Sequence, residues 1–331
     1  MKKSGCLTIF LFVFLCLSLF FNMLLLIGLF SKGSSQVVST GPESPRGFEE
    51  VLLESGKSSD RIAVIPLQGI ISYSQAGALG PNMIEDLKIA MRQAANDPKV
   101  KAVVLEVNSP GGEITASDVL YHEVQLLAQQ KPVVTYFQSL GASGAYYMAC
   151  GSSWIMANES TFTGSIGVII STLNYEDLFN KIGLDSIVFK SGAFKDMLSG
   201  TRPITPEEQA YVQGLVMQSY ERFLGIVAAA RDQNPAELRN GPADGRILSG
   251  VDALEADLVD QLGYIEDAYA KARELSGAAE AKVVRYQPGF ALGMLFRMFG
   301  TSSKVEIKGM EKFTPQLEPG RIYLLPPFYA P

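Results

Sequence analysis

Residues 101–114 read KAVVLEVNSPGGEI: a valine-rich apolar run that stops at Asn-Ser-Pro-Gly-Gly. Such a run, bounded by a glycine turn, reads as a buried strand. The residues on either side decide what it pairs with. Upstream, IAVIPLQGII (62–71) is a second strand and NMIEDLKIAMRQAAN (82–96) an amphipathic helix. Downstream, a helix is predicted to about Gln130, followed by the buried strand PVVTYF (132–137) and short strands in SWIMAN (153–158) and TGSIGVI (163–169). Strands that alternate with helices imply βαβ units and an α/β fold with a mostly parallel sheet or its superhelical relative. Active sites in such folds collect where strands end and helices begin. Two glycine-marked turns of that kind follow Val107 and Phe137.

Farther along, DSIVFK (185–190) is expected to be a strand and SGAFKDMLSGTRPI (191–204) an irregular loop. Thr205-Pro206-Glu207-Glu208 combines an N-cap, a proline at the first helical position and a capping-box glutamate, so a helix is predicted from there to about Arg231. Helical sequence from Val251 to Leu275 closes the compact region.

The ends differ in character. Cys6–Phe30 is an uncharged apolar run, about 37 Å long if helical, against a hydrocarbon core of about 30 Å. It is too long for a signal-peptide core and lacks a small-residue cleavage site. It is therefore expected to be an uncleaved anchor, with Lys2 and Lys3 keeping residues 1–5 in the cytoplasm. Residues 31–60 read as a Ser/Gly/charge-rich tether, 61–282 as the folded domain and 283–331 as a tail. The tail contains FALGMLFRMF (290–299), an apolar stretch too short to span a bilayer.

Composition excludes several functions. A net charge of −6 without a basic cluster argues against nucleic acid. One histidine and three cysteines, two of them in the apolar run, argue against a metal site or a disulfide framework. No cofactor is expected.

The chemistry is expected near Ser143. Gly141-Ala142-Ser143-Gly144-Ala145 nearly fits G-x-S-x-G, the sharp strand-to-helix turn that exposes a serine hydroxyl. A nucleophilic serine requires a base. His122 is poorly placed for it, because it shares the outer helix face with Asp118 and Gln125. A lysine base remains, and it has to work uncharged, which means a pKa lowered from about 10.4 to near 7 by apolar surroundings. Lys195, with Phe194, Met197 and Leu198 nearby, and Lys190 both suit on composition. The Asn108–Gly112 turn offers backbone N–H groups that could join the one after Ser143 as an oxyanion hole.

In set and order, NSPGGEI, GASGAYYMAC, TGSIGV within 161–168, SGAFKDM and PADGRILSGVDALEADLVDQLG resemble the signal peptide peptidase A family in its short single-domain form, over roughly residues 60–275. The resemblance implies a ClpP/crotonase-like superhelical βαβ core and a Ser/Lys-dyad serine protease. Carried over by position, it makes Ser143 the nucleophile and Lys195 the general base. Gly112 and Gly144 become the oxyanion hole and Ser165 a hydroxyl that orients the lysine. It also implies a bacterial membrane setting with the catalytic domain outside the cytoplasm, apolar peptides such as leftover signal peptides as substrates, and homo-oligomers with hydrophobic grooves. Whether the lysine acts within one chain or across a subunit boundary stays open. Two other readings keep the fold: an inactive, membrane-tethered peptide-binding scaffold, and an acyl-CoA enzyme with an acidic base in place of Lys195.

Overall fold

The computed structural model describes residues 14–15, 17–21, 47–73, 83–288 and 323–324. Its strands are β1 (Phe48–Glu54), β2 (Arg61–Gln68), β3 (Val100–Ser109), β4 (Gly112–Glu113), β5 (Val133–Ala142), β6 (Trp154–Ala157), β7 (Phe162–Gly164), β8 (Ile247–Ser249), β9 (Gln261–Leu262), β10 (Lys282–Pro288) and β11 (Tyr323–Leu324). Its helices are α1 (Met83–Asn96), α2 (Ile114–Ala128), α3 (Gly144–Ala149), α4 (Glu176–Ile182), α5 (Pro206–Arg231), α6 (Pro235–Arg239), α7 (Gly250–Glu255) and α8 (Ile265–Ser276), with a 3-10 turn at Ala193–Asp196.

The valine-rich run is β3, and it lies mid-sheet. The strand order is β1-β10-β2-β3-β5-β6-β9, with β7 on β5 and β8 on β7. Strands β10, β2, β3, β5, β6 and β9 run parallel to their neighbours, while β1 on β10 and β8 on β7 are antiparallel. Parallel strands need helical crossovers, and these cover both faces of the sheet. The alternation along β2 shows the consequence. Ala63, Ile65 and Leu67 face one core with Ile84 and Met91 of α1, Leu120 and Val124 of α2, and Phe223 and Val227 of α5. Ile62 and Val64 face the other, with Ala268, Tyr269 and Ala272 of α8.

Helix α5 begins as its sequence requires: Thr205 Oγ1 accepts from the Glu208 amide at 3.2 Å, and the Glu208 carboxylate accepts from the Thr205 amide at 2.9 Å. That capping box fixes the end of the long loop before it.

Three expectations are corrected. The end of the stretch read as tether is β1, an edge strand paired to β10 from Phe48↔Pro288 onward. The start of the stretch read as tail is β10, which pairs with β2 through Lys282↔Arg61 to Arg285↔Val64. Phe48–Glu54 carries charged side chains because it is the sheet edge, and for both segments a partner distant in sequence makes the strand. DSIVFK, by contrast, is not a strand. Residues 185–190 carry no strand assignment and are exposed, having no strand beside them to supply a ladder.

The anchor expected at 6–30 lies mostly outside the described residues. Residues 14–15 and 17–21 are helical and exposed, and among the described residues no helix is long and apolar enough to cross a membrane. Residues 1–45 form a unit separate from 46–331. The apolar stretch 290–299 also lies outside the described residues.

Candidate active site

Strand β5 delivers Ser143 to the start of α3. The serine takes φ 55° and ψ −115°, a backbone that residues with a side chain adopt at a cost. Two hydrogen bonds hold it there: its amide donates to Gly164 O at 2.8 Å, and its carbonyl accepts from the Tyr147 amide at 2.8 Å. The residue is fully buried, and its Oγ has no hydrogen-bond partner among the described residues. A buried hydroxyl left unpaired is costly, and such groups ask for an explanation.

The two tyrosines of GAYY fasten α3 on either side. Tyr146 Oη donates to Leu258 O at 2.6 Å, and Tyr147 Oη donates to Asp118 Oδ1 on α2 at 2.6 Å. Arg222 of α5 reaches the same carboxylate at 2.6 Å. Burial, then the Asp118 carboxylate, pushes the Tyr147 phenol well up, so it stays a donor.

The second glycine turn lies against the first. A Cβ placed on Gly144 would come 2.3 Å from Ser117 Oγ and 3.1 Å from Gly112 N, so the backbones of the two turns meet beside Ser143. Gly112 has no more room, since a Cβ there would sit 1.9 Å from Ile71 O. The edge at Gly112 also takes a strand: Leu324 pairs with Gly112 and Tyr323 with Glu113, antiparallel. An extended peptide can therefore lie along this edge.

The lysines separate by their partners. Lys190 Nζ donates to Asp196 Oδ1 at 2.7 Å and to Ala193 O at 3.2 Å, so it is committed to an ion pair. Lys195, on the exposed 3-10 turn, donates its amide to Gly192 O at 3.1 Å, but its side-chain amine makes no hydrogen bond or ion pair with the described residues. Asp196 is also gripped by Arg202, which reaches on to Glu208. The Arg202 guanidinium, then Lys190, holds the Asp196 carboxyl well below the usual range. Arg202, then the Thr205 amide, holds that of Glu208 at about 2. Sequence reading found the Thr205–Glu208 cap but missed Asp196 and Arg202 as a pair, whose only local signal is their mixed charge within one loop.

Among the described residues Ser143 Oγ has no hydrogen-bond partner, so Lys195 makes no hydrogen bond to it. Ser165 lies next to Gly164, whose carbonyl pins the serine; it is nearly buried at φ 50° and donates its amide to Arg246 O at 2.8 Å. PADGRILSG thus braces this corner through Arg246 and β8. His122 is exposed on α2. Cys150, buried with its thiol pushed up to about 12 by burial, stays protonated and is not a rival nucleophile.

The model for peptidase family S49 matches residues 125–279, a span that holds Ser143, Ser165, Lys195 and the Asp196–Glu208 cluster. A protein named "Putative signal peptide peptidase SppA" from Enterococcus faecium is 38% identical over 257 residues, 74% of this chain and 73% of that protein. A Synechocystis sp. protein named as a "Putative protease" is 41% identical over 58% of this chain and 69% of its own length. Protease 4 of Salmonella typhi is 38% identical over 60% of this chain, which accounts for 32% of that longer protein.

Proposed function

The chain belongs to the SppA family of S49 serine peptidases, and from that premise we propose that it is a membrane-anchored endopeptidase with a Ser143/Lys195 dyad, acting on residual signal peptides and other apolar peptides. The observation that carries the reading is the Ser143 hydroxyl, buried and unpaired on a left-handed backbone where the Gly112 and Gly144 turns meet.

A substrate strand lies along the Gly112–Glu113 edge, as the Tyr323–Leu324 strand does, and brings its scissile carbonyl to Ser143. Lys195, with its amine uncharged and oriented by the Ser165 hydroxyl, removes the proton from Oγ as Oγ attacks the carbonyl carbon. The amides of Gly112 and Gly144 hold the oxyanion, a contribution of about 3–4 kcal/mol per donor in comparable sites. The lysine then passes its proton to the leaving amine, and water resolves the acyl-enzyme. The parallel βαβ sheet is the ClpP/crotonase-like core in which this site is built.

Lys195 comes from a neighbouring copy of the chain. Two observations support this: Ser143 Oγ is unpaired among the described residues, and the segment leading to Lys195 exposes apolar side chains, Phe189 96% and Ile187 79%. A second copy covering that surface would give the amine the dry surroundings it requires. The run Cys6–Phe30 would span a bacterial cell membrane with the peptidase part outside the cytoplasm, which concentrates the enzyme where apolar peptides are released.

Labelling by a fluorophosphonate tests the assignment. Wild-type protein and Lys190→Ala should label, whereas Ser143→Ala and Lys195→Ala should not. Equal labelling of the wild-type protein and the two lysine variants would remove the dyad.

A further inference from the structure

Asp196 follows Lys195 directly in the chain. A carboxylate free to swing toward that amine would stabilise the ammonium form, which cannot accept a proton. Here the carboxylate is engaged from two sides. Arg202 Nη2 and Nε donate to its two oxygens at 2.7 and 3.0 Å, and Lys190 Nζ donates at 2.7 Å. The guanidinium also donates to Glu208, through Nη1 at 2.9 Å and through Nη2, and Glu208 closes the capping box of α5. Two cations and two carboxylates leave this cluster neutral. Lys195 is the cation left outside it.

Fastening the loop does not by itself account for charged groups in the cluster. The carboxylate side chains of Asp196 and Glu208 are 11% and 4% exposed, and sequestering ion pairs from water commonly stabilises no more than apolar packing would. An apolar fastening is already present, since Phe194 packs on Tyr211 of α5 with ring centroids 5.4 Å apart. What the charges add is control over where the Asp196 carboxylate spends its hydrogen bonds. Arginine suits this task, because its planar fork binds two carboxylates at once and a lysine cannot reproduce that.

Resting on the reading of Lys195 as the general base, we propose that Arg202 is a positioning residue: by bridging Asp196 and Glu208 it withholds the Asp196 carboxylate from Lys195 and keeps that amine available as a base. It makes no claim on the substrate. Its effect belongs in kcat.

Steady-state kinetics of the full-length, detergent-solubilised protein on a fluorogenic leucine-rich peptide provide the test. Arg202→Gln should lower kcat by roughly ten-fold or more with KM changed by less than about two-fold. Adding Asp196→Asn to Arg202→Gln should restore most of kcat, because the competing carboxylate is then gone. A double variant no faster than Arg202→Gln alone would make Arg202 a brace and overturn the proposal, as would an unchanged kcat in Arg202→Gln. Should Arg202→Gln fail to fold, Arg202→Lys should show a smaller loss that Asp196→Asn again reverses, and a loss that it does not reverse overturns the proposal. Lys195→Ala, measured alongside, reports on the premise: activity surviving there removes the base itself, whereas loss there with normal kcat in Arg202→Gln removes only the role of Arg202.

Discussion

Ser143 combines two local penalties in one residue. Its positive φ is the kind of strain that costs about 1–3 kcal/mol, and its buried Oγ lacks a partner. Both are tolerated because Gly164 O and the Tyr147 amide fix the backbone while Tyr146 and Tyr147 fix the helix behind it. A group held in this way waits for a partner that the described residues do not supply. Ser143→Ala should therefore abolish labelling and turnover of the assembly yet raise the stability of the dissociated chain by about 1 kcal/mol, because it deletes a hydroxyl that is buried and unsatisfied there. Denaturant unfolding of the two proteins measures this; a loss of stability would mean that the hydroxyl has a structural bond. Much at this scale was legible beforehand. Glycines 112, 141 and 144 marked a close approach, and the structure puts two of those turns against each other. The choice between Lys190 and Lys195 was not legible from composition, since both sit in the same loop and only the third dimension shows which one Asp196 has taken.

At the scale of elements, the loop from Ile170 to Thr205 stands apart from the sheet. Nearly every residue from 171 to 195 is exposed, and the loop is tied to α5 by the Phe194–Tyr211 ring contact and by the Asp196–Arg202–Glu208 cluster. Its pH dependence follows in sign. Both carboxyls are held below their unfolded values, Glu208 at about 2 by Arg202 and Thr205 and Asp196 lower still by Arg202 and Lys190. The stabilisation is thus fully present above an ordinary carboxyl pKa of about 4 and is lost as pH falls toward 2. Pepsin cleavage between Phe189 and Leu198 should be slow at pH 4 and rise steeply by pH 2, ahead of cleavage within the sheet. A rate that merely follows the pH profile of pepsin on an unstructured peptide would count against the clamp. Element by element, local pattern was enough for β3, β5 and the capped α5, because burial on both faces and cap chemistry are written in adjacent residues. It misled for β1, β10 and 185–190. A strand exists only with a partner: Phe48–Glu54 and Lys282–Pro288 find each other across the whole domain, whereas the equally apolar SIVF finds none among the described residues.

For the whole molecule, the open question is where a serine in one place and a lysine in another become a site. Ser143 is fully buried at the end of β5, and Lys195 is exposed on a loop whose most prominent neighbours, Phe189 and Ile187, are apolar and face water. An assembly that passes this loop to the next copy would resolve both features together, burying the apolar side chains and supplying the missing partner of Oγ. Such a head-to-tail contact uses different surfaces on its two sides, so each site is shared between two chains. This sharing has a consequence that no single-chain dyad can imitate. Ser143→Ala and Lys195→Ala proteins are each inactive alone, but when dissociated, mixed in equal amounts and reassembled they should recover about a quarter of wild-type activity, the fraction of shared sites that draw an intact serine and an intact lysine by chance. Phe189→Asp introduced into both proteins should abolish the recovery together with the assembly, as read by light scattering. If the mixed proteins assemble and stay inactive, the lysine serves its own chain, and the loop must then swing to reach Ser143 within it.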